Sequence, residues 1–303
     1  MGITQAALEQ LSSLGLFKKS DMAVLDVGSS NLYSASPDWV GNFLAEYGPL
    51  LDAADVEVFA QRLAKGSGYD PRSGGMNESF VGELFEKAGF VYNAIDIADG
   101  YRTTIVDLNH QSTPDEFAGK FDLVLNYGTT EHLLNQYNAF RFMHEATKVG
   151  GYIVHSLPCV GYSNHGYLTY TPRCFFDLAG FNKYEVVDFR YDAADAPNDL
   201  FAPLRDYASY FPSLSSTLEK KDSTEAGRLV GALNVPDVSI FIVLRKVREA
   251  PFVGPMETST SVGELLPASG GVGAATGRAA RGGAARFRQL AVDLRNTMRN
   301  FLS

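Results

Sequence analysis

Short apolar runs alternate with amphipathic stretches along this chain. The runs MAVLDV (22–27), VYNAIDI (91–97), TTIVDL (103–108), FDLVLN (121–126), YIVHSLP (152–158), YEVVDFR (184–190) and SIFIVLRKV (239–247) have the length and the Val/Ile content of buried strands. Helical periodicity falls between them. It covers 3–18, then Asn77 to Ala88, with Asn77 as cap, Glu78 in the first turn and Gly89 just past the end. It returns from Asn138 to Val149, closed by Gly150-Gly151, and again from Arg173, with Pro172 suited to a first turn. Strands alternating with helices predict an α/β fold with a doubly wound, mostly parallel sheet. MAVLDV opens it and runs into the tight turn Gly28-Ser29-Ser30-Asn31. Ligands of such sheets bind outside the carboxyl ends of the strands.

The spacing departs from regularity in three places. A strand–helix–strand unit needs roughly 30 residues, yet the second strand waits until Val91. Trp39, Phe43, Leu44, Tyr47, Val56, Phe59 and Leu63 predict helices inserted at about 31–74, in the place of a lid. A second insertion, about 192–238, is rich in Tyr and Phe and reads as an acceptor cap. Beyond residue 250 the pattern lapses. Residues 251–285 are dominated by Gly, Ala, Ser and Thr and read as a flexible linker. In 286–303 Phe287, Leu290, Leu294, Met298 and Phe301 share one helical face, with Arg288, Arg295 and Arg299 on another. That basic amphipathic helix fits docking on its own domain, a homodimer contact, an anionic membrane surface or RNA. The expected organisation is a domain over 1–250, a linker and a terminal helix.

Composition narrows the class. A net charge of -9 over 303 residues argues against a nucleic-acid-coating protein. Cys159 and Cys174, the only two cysteines, make neither a disulfide framework nor a zinc site. No apolar run approaches the ~20 residues that span a bilayer, and the N-terminus lacks the basic and apolar regions of a secretory signal. A cytoplasmic protein is expected.

The chemistry concentrates at the strand ends. An ionised carboxylate is acceptor-only and can take two hydroxyl donors, so Asp96 at the end of the second strand suits a ribose diol. A dinucleotide fold would add G-x-G-x-x-G for the pyrophosphate. Here the turn is Gly28-Ser29-Ser30-Asn31-Leu32-Tyr33, with only the first glycine in place. A nicotinamide oxidoreductase is therefore disfavoured.

The order VLDVGSS, NAID, IVDLN, FDLVLNYGTTEHL, EATKVGGYIVHSLP resembles the class I S-adenosylmethionine-dependent methyltransferases of the small-molecule type, over about 20–190 plus 239–247. The resemblance implies a seven-stranded Rossmann-like sheet ordered 3-2-1-4-5-7-6 and S-adenosyl-L-methionine as cofactor. It places Asp26, Gly28, Ser29 and Ser30 at the methionyl part, directly or through water, Asp96 at the ribose, and Asp107 and Leu108 at the adenine. Asn126, Tyr127 and Gly128 would face the methyl group. Ser30 stands where the family usually has a second glycine. The long gap before Asp96 leaves Gly74-Gly75-Met76-Asn77 either as a plain turn and cap or as part of the methionyl pocket, through Gly75 and Asn77.

Glu131-His132 resembles the Glu-His of ubiquinone-type O-methyltransferases, and a His can take the acceptor's proton. His165, in Asn164-His165-Gly166-Tyr167, resembles a loop of bacterial sugar and natural-product methyltransferases, and is the second candidate base. Each has a plainer reading, as a structural histidine or a lining one. His155 reads as a core histidine; His110 and His144 carry no signal. Glu131, His132 and His165 lack diagnostic metal spacing, and no metal is expected. The loop Asn-Tyr-Gly-Thr after the fourth strand lacks the Asn-Pro-Pro-aromatic pattern of nucleobase amine methylation. The implied acceptor is a small hydroxylated molecule, methylated on oxygen or nitrogen; the rival is a non-catalytic scaffold of the same fold.

Overall fold

The computed structural model describes residues 2–18, 21–68, 78–162, 165–193, 196–199 and 238–255. The chain divides into two compact units, Met1–His155 and Ser156–Ser303. The terminal helix, most of the linker and nearly all of the second insertion lie outside the described residues.

In the first unit the elements run β1 (Gly2–Thr4), α1 (Gln5–Ser13), β2 (Ala23–Val27), β3 (Asn31–Tyr33), α2 (Pro37–Tyr47), α3 (Ala53–Gly66), α4 (Val81–Lys87), β4 (Val91–Asp96), β5 (Thr103–Ile105), β6 (Phe121–Tyr127), a 3-10 turn (Thr130–His132), α5 (Gln136–Ala146) and β7 (Thr147–Val160), which continues into the second unit. The strand order is β5-β4-β2-β6-β7. β2 is parallel to both β4 and β6, and β4 to β5. This is the expected 3-2-1-4-5 arrangement, with β2 central. Val24, Leu25 and Val27 are fully buried, as are Leu123, Val124 and Leu125 of β6. Covered on both faces, these strands carry continuous apolar runs instead of an alternating pattern.

In the second unit the order continues from the end of β7 through β10 (Val238–Arg245) and β8 (Glu185–Ala193) to β9 (Ala196–Asp199). β10 pairs antiparallel with β8, the expected 7-6 pairing; β9 adds a short antiparallel edge strand to the predicted seven. Helix α6 (Pro172–Asn182) starts with Pro172 in its first turn and ends at Lys183 in the left-handed region. Phe176 meets Phe189 edge-on at 4.8 Å in this unit's core.

Three local expectations change. The N-terminal segment is β1 followed by a short α1, not one helix over 3–18. β1 pairs in parallel with β3, Ile3 opposite Leu32, so part of the N-terminus is committed to a ladder. The helix predicted to reach Val149 stops at Ala146. Thr147 Oγ1 donates to Met143 O (2.6 Å), and the N–H groups of Gly119 and Lys120 take the carbonyls of Glu145 and Ala146. With its last carbonyls satisfied from outside, the chain turns at once into β7. The helix expected from Asn77 begins at Val81, with Phe80 at the N-cap and the Glu83 side chain accepting the Phe80 N–H at 3.0 Å.

The insertion is built into the core. Phe43 and Tyr47 of α2 join Phe17, Phe85 and Phe90 in one aromatic cluster, with Phe17–Phe43 and Phe17–Tyr47 centroids both 5.4 Å apart. Edge-to-face contacts of this kind add to simple area burial.

Candidate functional site

Asp26 is the penultimate residue of β2 and is fully buried. Its Oδ2 accepts the Ser30 N–H (2.6 Å) and the Tyr92 hydroxyl (2.9 Å), and its Oδ1 accepts the Ser30 hydroxyl (3.0 Å). Burial pushes its carboxyl above the usual range, against the pull of those donors, and the charge of Asp96 adds to the rise. Asp26 therefore staples the turn to itself and to β4. Gly28, at φ 118°, supplies a backbone conformation closed to most side chains, and Ser29 follows at φ 41°. The Gly28 N–H is given to Ile95 O at 2.8 Å. Two of the N–H groups that could cradle a phosphate are thus spent inside the protein.

The long gap after the turn has a structural explanation. The chain leaves at Asn31 and returns at Phe80: Asn31 bridges Phe80, Leu32 N–H donates to Ser79 O (2.8 Å), and Val81 N–H donates to Ser30 O (3.0 Å). Helix α4 therefore follows Ser30 in space, as if the intervening residues were absent. Gly82, in its first turn, lies against β4. A Cβ there would stand 2.3 Å from Tyr92 Cε1 and 2.7 Å from Tyr101 Cδ1. It provides the close helix–strand approach that a glycine provides in dinucleotide folds. Gly75 and Asn77 lie outside the described residues.

Asp96 ends β4, next to Asp26 across the β2–β4 ladder, where Asp26 pairs with Ala94. It is partly exposed; Oδ1 accepts the Ala98 N–H at 3.1 Å, and among the described residues no donor reaches Oδ2. Ile97, beside it, is 72% exposed, an apolar side chain left at the strand's open end. Gly100 packs against Ser29, so the segment after β4 lies on the turn.

Asp107 follows β5. Its Oδ2 meets His110 Nδ1 at 2.8 Å and its Oδ1 accepts the Asn109 N–H at 2.8 Å; the His110 bond leads in holding its carboxyl below the usual range. Leu108 is buried. His110, which gave no signal in the sequence, is thus a partner of a predicted site residue; only the i, i+3 spacing hinted at it.

Asn126 ends the run of β6 and is fully buried. Its amide nitrogen donates to Thr130 Oγ1 and contacts His155 Nδ1, each at 3.0 Å. Burial pushes His155 down to about 3, so the ring is neutral and Nδ1 accepts. His155 is the expected core histidine, and it orients Asn126. Tyr127 is buried, and Gly128 takes φ 75°. Thr129 Oγ1 donates to Val27 O, tying this loop to the end of β2. Glu131 is buried while His132 is 40% exposed, with Glu131 Oε1 and His132 Nε2 3.9 Å apart, beyond hydrogen-bond range. The first unit thus brings Asp26, Gly28, Ser29, Ser30, Asp96, Asp107, Asn126 and His132 to the carboxyl ends of β2, β4, β5 and β6.

His165 belongs to the second unit, exposed in the segment after β7. Its N–H donates to Tyr162 O at 2.9 Å and its ring lies 6.0 Å from that of Tyr162. Burial pushes the Cys159 thiol up to about 12 and that of Cys174 to about 11, so neither is a thiolate nucleophile at neutral pH. Among the described residues no helix is long and apolar enough to cross a membrane.

Sequence residues alone missed Tyr92, Gly82 and Asn109, whose roles depend on what the fold brings against them.

No protein-family model matches the chain, and no curated protein matches it. Solved structures do. Phosphoethanolamine N-methyltransferase 2 of Haemonchus contortus, in complex with phosphomonomethylethanolamine and S-adenosylhomocysteine, aligns at 13% identity and TM-score 0.41 over 80% of this chain; the match spans about half (52%) of that enzyme's length. Geranyl diphosphate C-methyltransferase of Streptomyces coelicolor aligns at 12% identity and TM-score 0.41, over 80% of this chain and 77% of that one. An S-adenosylmethionine-dependent methyltransferase of Archaeoglobus fulgidus aligns at 12% and 0.38, over 80% and 94%.

Proposed function

We propose that the chain is a methyltransferase that uses S-adenosyl-L-methionine to methylate an oxygen or nitrogen of a small hydroxylated acceptor, such as a sugar or a natural-product intermediate. One observation carries the reading. At the carboxyl ends of β2 and β4, a turn whose Gly28 and Ser30 N–H groups are already spent on Ile95 O and Asp26 stands beside Asp96, a carboxylate that reaches solvent. Such a site suits a nucleoside better than a pyrophosphate.

The cofactor would supply an electrophilic methyl group on a sulfonium. Asp96 would accept the ribose hydroxyls, with Ile97 offering apolar cover beside it. Asp107 and Leu108 would line the adenine side. Asp26 acts through the turn it staples, and the Asn126–His155 pair fixes the floor of the site. His132, partly exposed beside buried Glu131, is the candidate base in the first unit; His165 is the candidate in the second. Most of the acceleration would come from holding the acceptor in line, with proton removal adding about 10²–10⁴-fold. In this reading the terminal basic helix serves partner, dimer or membrane contact, and the protein works in the cytoplasm without nucleic acid.

The test is transfer of a tritiated methyl group from S-adenosylmethionine to a panel of sugars, phenols and amines. Label entering an acceptor, and lost with His132→Ala, supports the proposal. A protein that binds the cofactor but labels no acceptor would be a binding scaffold instead.

A further inference from the structure

The turn after β5 is sewn to the segment after β6 by Asn109. Its Oδ1 accepts the N–H groups of Leu134 and Asn135, both at 3.1 Å. Its carbonyl accepts from Asn135 Nδ2 at 2.8 Å. Asn138 Nδ2 completes the seam, donating to Leu108 O (2.7 Å) and Gln111 O (2.8 Å).

Each side of the seam is stiff. On one side Asp107 holds Asn109 through its N–H and is itself bonded to His110. On the other, Gln136 Nε2 donates to Thr130 O and Leu133 O (2.7 and 2.6 Å), tying the 3-10 turn that bears Glu131 and His132 to the start of α5. A movement of Asp107 and Leu108 therefore reaches the segment before α5 through Asn109, beside the bonds from Asn135 and Asn138, and passes on to Thr130–His132 through Gln136. Asn135 and Asn138 reach only backbone carbonyls of the β5 turn. Asn109 supplies the acceptor for two backbone donors lying just before α5.

We infer that Asn109 is a positioning residue that locks the cofactor-side turn after β5 to the acceptor-side segment after β6. This rests on the methyltransferase reading, since it assigns the two sides their ligands. Among the described residues the Asn109 amide nitrogen donates to nothing, so the oxygen is the working atom. An Asp at this position keeps that acceptor; an Ala removes it.

The experiment compares wild type, Asn109→Ala and Asn109→Asp in the full chain. Amide exchange of Leu134 and Asn135, measured without ligand, should accelerate at least tenfold in Asn109→Ala and return close to wild type in Asn109→Asp. The dissociation constant for S-adenosylmethionine should rise several-fold in the Ala variant and recover in the Asp variant. Once an acceptor is in hand, kcat should fall with a smaller change in the acceptor's KM. If Asn109→Ala does not fold, Asn109→Ser, too short to reach both amides, takes its place. A variant that loses thermal stability but keeps cofactor affinity and amide protection would overturn the inference and leave the proposed function standing. Failure of the wild type to bind cofactor would overturn both.

Discussion

Gly82→Ala is the substitution with the most to say about how this fold is assembled. In an exposed helix interior, Ala is favoured over Gly by about 1 kcal/mol. At Gly82 the new Cβ would sit 2.3 and 2.6 Å from two Tyr92 ring carbons and 2.7 Å from Tyr101 Cδ1. Carbon atoms in contact stand about 3.5–4.0 Å apart, so the Tyr92 ring must retreat by more than about 1 Å and the Tyr101 ring by nearly as much. Neither is free to do so. Tyr92 is held by Asp26 at 2.9 Å and Tyr101 by Glu86 at 2.5 Å. Overpacking costs about 1–3 kcal/mol, and weakening a hydrogen bond to a charged group about 1.5–3 kcal/mol. Against the helix gain, the net expectation is a loss of about 3 kcal/mol. Urea denaturation followed by fluorescence reads it, because the single tryptophan, Trp39, lies in α2 of the same unit. In a Tyr92→Phe background the ring is released from Asp26, and Gly82→Ala should cost at least about 1 kcal/mol less. A neutral or stabilising Gly82→Ala would refute the claim that α4 is pressed onto β4 behind the turn.

Phe43→Ala should destabilise the first unit by about 3–5 kcal/mol, as for a core aromatic; retention of the wild-type midpoint in urea would instead mark the insertion as a loose lid. His155 carries a pH signature: its folded-state value, about 3, lies below the ordinary 6.5, so the unfolded chain binds the extra proton between those limits. Its contribution is whole above pH 6.5 and is lost as pH falls toward 3, about 1.4 kcal/mol by pH 5.5; His155→Gln, which keeps an acceptor, should remove that slope from a stability–pH curve. Ser30→Ala deletes the hydroxyl bonded to Asp26 Oδ1 and should cost about 1.5–3 kcal/mol in the same urea assay, whereas an unchanged midpoint would mean that this hydroxyl adds nothing to the bond Asp26 keeps with the Ser30 N–H.

The central strands were legible because burial on both faces writes itself as continuous apolar runs: MAVLDV, VYNAIDI and FDLVLN fold as strands, each displaced by one residue at one end. Asp26, Asp96 and Asn126 were found for the same reason, as polar residues ending apolar strands. What escaped was set by contacts distant in sequence. The return of the chain from Phe80 to Asn31 and Ser30 is a pairing across the whole insertion, with no local signal at either end. Nothing in the sequence singles out Gly82, because Tyr92 and Tyr101 meet it only in the folded chain. The early stop of α5 is dictated by Gly119 and Lys120, which lie well upstream. Asn109 is one polar residue in a polar turn, and only the folded chain brings Leu134 and Asn135 to it.

The most direct test is calorimetric titration of the purified protein with S-adenosylmethionine and S-adenosylhomocysteine, with Asp96→Ala in parallel. Micromolar binding of both ligands, weakened at least tenfold (about 1.4 kcal/mol) by the substitution, is the predicted result. A well-folded wild-type protein that binds neither would contradict the account.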